Sequence, residues 1–160
     1  MLRKKLLIAA TVAATFLLAP RVAEAANRTA TFTIGSTVAG QCSMLAPANV
    51  SLGVYDPFGT GNLTGTTTLR VKCIKGTGFS IALSSSNSFR MADGAGNFIP
   101  YAIKQPDNST NWETTPLVVP GSAITDSRNY YTYVANVSAA KGLPVPLGDY
   151  SDVVTVTITY

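Results

Sequence analysis

The feature that most constrains this chain is a two-residue alternation of apolar and polar side chains, repeated along most of its length. No apolar pattern with a 3.6-residue period lasts long enough beside it to build a substantial helix. Thr31 to Val38 places Phe32, Ile34 and Val38 on one face. Thr67 to Cys73 places Leu69, Val71 and Cys73 on one face, with Arg70 and Lys72 on the other. Phe79, Ile81 and Leu83 alternate with Ser80, Ala82 and Ser84, and the runs 98–104 and 130–137 read the same way. The clearest run comes last, where Val153, Thr155, Thr157 and Thr159 alternate with Val154, Val156, Ile158 and Tyr160. Turn residues separate these runs: Gly59 to Asn62, Gly76 to Gly78, the hairpin loop Asp93 to Asn97, and a polar loop from Pro106 to Thr115 around Trp112. Seven or so short strands joined this way predict an all-β fold, a single antiparallel sandwich of immunoglobulin-like type.

The N-terminus reads differently. Arg3, Lys4 and Lys5 precede an uncharged apolar run of 14 residues, Leu6 to Ala19, and Ala23-Glu24-Ala25 is a small-x-small cleavage site. That is the three-part pattern of a secretory signal peptide over residues 1–25. The competing reading is a membrane anchor. A spanning helix needs about 20 apolar residues, and this run stops at Pro20 and Arg21. With residues 1–25 removed, no membrane span is expected in 26–160. The removal also cancels most of the basic excess. The chain carries 12 basic and 8 acidic residues, and residues 26–160 keep 8 and 7. No block of positive charge remains to attract nucleic acid.

Two cysteines remain, Cys42 and Cys73, 31 positions apart. In an oxidising compartment an even count without metal-ligand spacing reads as one disulfide, the alternative being two buried thiols. Such a bridge contributes about 3–4 kcal/mol by loop closure. The chain has no histidine, which removes Ser-His-Asp and Cys-His catalysis and most zinc sites. Asp149 and Asp152 are the nearest acidic pair, and they read as polar residues at a strand entrance rather than as an acid/base or calcium site. Gly94-Ala95-Gly96 lacks the helix and lysine of a phosphate loop. No catalytic residue, metal or cofactor is indicated, and the chain does not read as an enzyme. Tyr130, Tyr131 and Tyr133 form an aromatic cluster, read as strand packing rather than as a ligand patch.

The order of short motifs carries a resemblance. Gly40-Gln41-Cys42-Ser43 follows an alternating segment, and Leu52-Gly53-Val54-Tyr55 comes next. Val71-Lys72-Cys73 and Lys75-Gly76-Thr77 precede Phe79 to Leu83, and Arg90-Met91 and Tyr101-Ala102-Ile103 follow. The chain closes on Gly148-Asp149-Tyr150-Ser151-Asp152 and the final alternating strand. From Cys42 onward the sequence resembles the spore coat protein U domain, the subunit type of archaic, Csu-type chaperone–usher pili. Leu52 stands where that family tends to have phenylalanine.

The resemblance implies a sandwich that lacks one strand, completed by a strand from elsewhere. It implies three kinds of partner: a periplasmic chaperone, an outer-membrane usher, and other copies or related subunits. Residues 26–38 are then the candidate donor strand, with Phe32, Ile34 and Val38 entering a neighbour's groove, or else the first strand of their own domain. The last strand, with Val154, Val156, Ile158 and Tyr160, is the face expected to meet the chaperone. The implied function is an exported structural subunit of a surface fibre, serving adhesion or biofilm and passing through the periplasm to the cell surface. The alternatives are a self-complete secreted coat or matrix protein and a minor or tip adhesive subunit. Mass spectrometry of the exported protein is expected to find a chain beginning at Ala26. A product retaining residues 1–25 contradicts the cleavage reading.

Overall fold

A computed structural model describes residues 27–160, so the export segment read in residues 1–25 lies outside the described residues. Residues 27–36 belong to a different compact unit from Thr37–Tyr160. They carry no regular secondary structure, and Phe32 and Ile34 are exposed.

In Thr37–Tyr160 the alternating runs become strands wherever a partner satisfies their backbone. One sheet has the order β1-β2-β8-β6, formed by β1 (Cys42–Leu45), β2 (Asn62–Cys73), β8 (Tyr131–Ala140) and β6 (Ala102–Lys104). The second has the order β7-β3-β9, formed by β7 (Leu117–Val119), β3 (Phe79–Ser85) and β9 (Val154–Thr159). A hairpin of β4 (Arg90–Ala92) and β5 (Phe98–Pro100) stands apart. All these pairings are antiparallel, and the two facing sheets make the immunoglobulin-like sandwich.

Two departures from the sequence reading have local causes. The run 98–104 is two strands, because Pro100 has no N–H to continue a ladder and the chain changes sheets at Tyr101. β5 pairs with β4, whereas β6 pairs with β8, and the Tyr101 N–H is taken by the Phe89 carbonyl at 3.1 Å. The strand expected over 67–73 begins five residues earlier, at Asn62, because β8 offers partners along the whole threonine-rich stretch.

Leu69 and Val71 of β2, Phe79 and Ile81 of β3, Ile103 of β6 and Val119 of β7 meet between the sheets, each almost fully buried. Burial of each such side chain contributes about 1.5–3 kcal/mol before ordering costs. The loop that reads as polar holds the largest core residue. Trp112 is 1% exposed, and its Nε1–H donates to the Ile81 carbonyl at 2.9 Å. The polar residues around it hold it there. Asp107 accepts from the N–H groups of Ser109 and Thr110, and Glu113 Oε1 accepts from the Ile103 N–H at 2.7 Å.

Cys42 and Cys73 lie opposite each other across β1 and β2 and are joined by a disulfide. The bond ties a four-residue edge strand, which has little burial of its own, to the longest strand of the sheet. Replacing both cysteines with alanine is expected to lower stability by about 3–4 kcal/mol in denaturant titration, the cost of freeing a loop of this length. A shift below about 1 kcal/mol contradicts that role.

Candidate functional site

The second sheet stops at β9. β3 pairs with one edge of β9, from Ser80↔Thr159 to Ser85↔Val154, and among the described residues no strand pairs with the other edge. A central-looking strand is thus left with a row of free N–H and C=O groups. Its inward residues Val154, Val156 and Ile158 are only half-buried, while Thr155, Thr157 and Thr159 face out. The core is therefore uncovered along this edge.

The gap is a groove of about 280 Å³ between the sheets. Leu69, Leu83, Ile103, Val137, Val154 and Val156 supply apolar walls from both sheets. The coil after β1 closes part of one side. Val50 and Leu52 lie over Gly65 of β2, where an added Cβ would come within 2.6 Å of Val50 Cγ1. The absent side chain at Gly65 is what lets this coil settle onto the sheet. Thr67 Oγ1 donates to the Ala48 carbonyl at 2.8 Å and pins the same coil.

One end of the groove is polar. Tyr101 O–H donates to Asp152 Oδ2 at 2.7 Å, and Ser85 O–H donates to the same oxygen. Asp152 Oδ1 accepts from Ser86 Oγ at 3.0 Å, Asn87 Nδ2 at 3.1 Å and the Val153 N–H at 2.8 Å. Desolvation by itself would raise the Asp152 carboxyl. The hydrogen bonds from Ser85, Tyr101 and Ser86 outweigh it and hold the group below its ordinary range. Burial first, and then the bond to Asp152, push the Tyr101 phenol above its usual value.

The sequence-predicted residues divide between these features. Val154, Val156 and Ile158 line the inner side of β9, and Tyr160 just beyond them is 60% exposed. Phe32 and Ile34 lie in the segment without a strand, and Val38 is exposed. Of the tyrosine cluster, Tyr133 packs edge-on against Phe79, Tyr131 accepts from the Thr125 and Asp126 N–H groups, and Tyr130 lies beneath Arg70 and Lys72. No group of three acidic or cysteine side chains that could hold a metal occurs among the described residues. Sequence reading missed the polar rim, although a signal for Asp152 existed: it shares the parity of Val154 and Val156 and so points the same way.

The family model described as Spore Coat Protein U domain matches residues 28–157. No curated protein sequence matches the chain. In fold the chain is similar to a chain of a crystal structure from Acinetobacter baumannii. That structure is described as the CsuC-CsuE chaperone-tip adhesion subunit pre-assembly complex from archaic chaperone-usher Csu pili. The TM-score is 0.52 at 20% sequence identity, over 78% of this chain and 41% of that one, so this chain spans well under half of its neighbour's length.

Because its folded pKa is depressed, the Asp152 carboxylate contributes stability that is complete above the ordinary aspartate value of about 4. That contribution is lost as the pH falls through the lower folded value. Asp152→Asn is expected to lower stability at pH 7 by about 0.5–1.5 kcal/mol, since the partly exposed carboxylate is screened by solvent. It should also flatten the acid limb of a plot of denaturation midpoint against pH. An unchanged acid limb contradicts the contribution.

Proposed function

Because the chain belongs to the Spore Coat Protein U domain family, we propose that it is an exported structural subunit of a bacterial surface fibre, linked to its neighbours by strand exchange. The observation that carries this reading is a pair of complementary deficits. Among the described residues β9 has an unpaired edge above an uncovered apolar groove, and an exposed alternating segment has no strand partner there.

Each deficit is costly alone. An open edge strand over exposed core is a template for aggregation. A segment added at that edge satisfies the free backbone groups, and its alternate side chains fill the groove. Phe32, Ile34 and Val38 together bring about 5–9 kcal/mol of apolar burial before ordering costs.

In this reading residues 1–25 direct export and are cleaved, and residues 26–160 form the subunit. A periplasmic chaperone covers the groove in transit by pairing with β9, whose Val154, Val156 and Ile158 face the core and whose terminal Tyr160 lies beyond. An outer-membrane usher then carries assembly to the surface, where the N-terminal segment of another subunit replaces the chaperone. The role is structural and requires no cofactor. A fibre of this kind serves adhesion and biofilm formation.

Deleting residues 26–38 behind the intact export signal tests this. The complete chain is expected to give SDS-resistant multimers in unheated samples, and the deleted chain only chaperone-bound or aggregated material. A complete mature chain that accumulates as a stable, soluble monomer overturns the proposal.

A further inference from the structure

We propose that the groove takes residues 28–38 of a second copy of this same chain, antiparallel to β9, in one register set by Asp152. The inference rests on the strand-exchange reading above. It adds the register and the residue that sets it.

In an antiparallel pair, directly opposed residues share a face. The donor's even-numbered residues are its apolar set, and β9 presents even-numbered residues to the groove. A one-residue slip would turn Thr31 and Thr33 inward, so only two-residue shifts need comparison. Setting Phe32 opposite Val156 puts Ile34 opposite Val154 and the small Ala30 opposite Ile158. The same setting puts Ser36 opposite Asp152, which lines the same cavity as Val154 and Val156. A hydroxymethyl group suits that rim. It is short enough to sit over the Tyr101–Asp152 pair, and it can donate to the Tyr101 oxygen. Arg28 then falls opposite the exposed ring of Tyr160, where a guanidinium stacks favourably.

The outward face agrees independently. Thr29, Thr31 and Thr33 fall opposite Thr159, Thr157 and Thr155, three threonine pairs of the kind that stabilise antiparallel ladders. Shifted one way by two residues, Ile34 covers the Asp152 carboxylate and Arg28 lies against Ile158. Shifted the other way, Val38 covers Asp152 and Ser36 lies in the apolar wall at Val154. Both shifts bury a charge or a polar group against hydrocarbon.

The donor cannot be the chain's own segment, and the fit of this chain's own residues 28–38 to its own β9 points to a second copy. Gln41 O accepts from the Ile74 N–H at 2.9 Å and Gly40 packs on Thr77, so the chain enters the sandwich at the end where β9 finishes. In the proposed register Val38 lies opposite Tyr150, ten residues before Tyr160 along the segment that contains β9, or roughly 33 Å if that segment is extended. The four residues from Val38 to Cys42 reach about 14 Å at most. Within one chain this register is out of reach.

Charge favours the same direction. Arg70 and Lys72 over Tyr130, Lys75 bonded to Ser127, and the Arg128–Asp126 turn lie at the end where β2 finishes and Cys42 begins. The opposite end carries Asp56, Asp93, Asp149 and Asp152 against Arg90 and Lys141. An antiparallel donor leaves the acceptor at its acidic end and enters its own sandwich at its basic end. Opposite charges are thereby brought together across the junction.

Cysteine pairs on the outward threonines read the register. Thr31→Cys is combined in the full exported chain with Thr157→Cys, or with Thr155→Cys, or with Thr159→Cys. Directly opposed Cβ atoms are about 4.5–5.5 Å apart and diagonal ones about 7–8 Å, beyond disulfide reach. After oxidation, heated non-reduced gels are expected to show a covalent ladder for Thr31→Cys/Thr157→Cys at least tenfold stronger than for the other two, and reductant should abolish it. Equal ladders, or a stronger ladder from a shifted pair, overturn the register. A disulfide-linked monomer overturns the second copy as occupant. Unheated samples report assembly separately. Multimers there without the expected covalent ladder sink the register alone, while their absence from all three variants and from the parent chain sinks strand exchange itself. Adding Asp152→Leu to each pair is expected to narrow the preference for Thr157→Cys to less than threefold, and an undiminished preference overturns the role of Asp152.

Discussion

The unpaired edge of β9 governs the rest of this molecule. β9 exchanges one row of backbone hydrogen bonds with β3, and among the described residues its other row is open, directly above half-buried Val154, Val156 and Ile158. Backbone groups on an open edge are left to water and offer a template for pairing with another chain, and the uncovered apolar side chains beneath add a hydrophobic cost. The sandwich can relieve both at once only by accepting one more strand. Its other edges are managed differently. β1 is four residues long and tied down by the disulfide, β6 is three residues long and held by the Trp112 loop, and β7 is three residues long and stops at Pro120.

The groove is more than an apolar slot. Its walls come from both sheets, so an incoming side chain is packed on two sides, and its far end is closed by Tyr101 and Asp152. A purely apolar groove tolerates sliding in two-residue steps, because every second residue of a donor looks alike to it. A carboxylate held by hydrogen bonds at one end breaks that equivalence. The cost of covering it with hydrocarbon converts a sticky edge into a specific one.

The disulfide acts at the opposite end of the sandwich from that rim. By holding β1 to β2, it determines where the chain leaves the sandwich on the N-terminal side. In the strand-exchange reading proposed above, a departure point at the finishing end of β9 keeps the segment from folding back antiparallel along its own groove, as chain length alone requires.

The all-β class, the last strand, the β4–β5 turn and the cysteine pair were legible in the sequence, because each is a local pattern of period two or a turn residue at a fixed place. Phe32 and Ile34 were legible as an apolar set, whereas Asp152 read only as a polar residue at a strand entrance, although it shares the parity of Val154. What the sequence did not carry was which residues face each other across the core. Trp112 looked like part of a polar loop, yet its indole N–H is held by a carbonyl 31 residues away. The run 98–104 looked like one strand, yet it crosses between partners at Tyr101. The joining of Ser85, Tyr101 and Asp152 into one rim is likewise invisible in a linear chain. Local alternation determines which face of a strand is apolar. Only the packing of two sheets decides which edge of which strand is left without a neighbour, because pairing is settled by contacts between residues far apart in sequence.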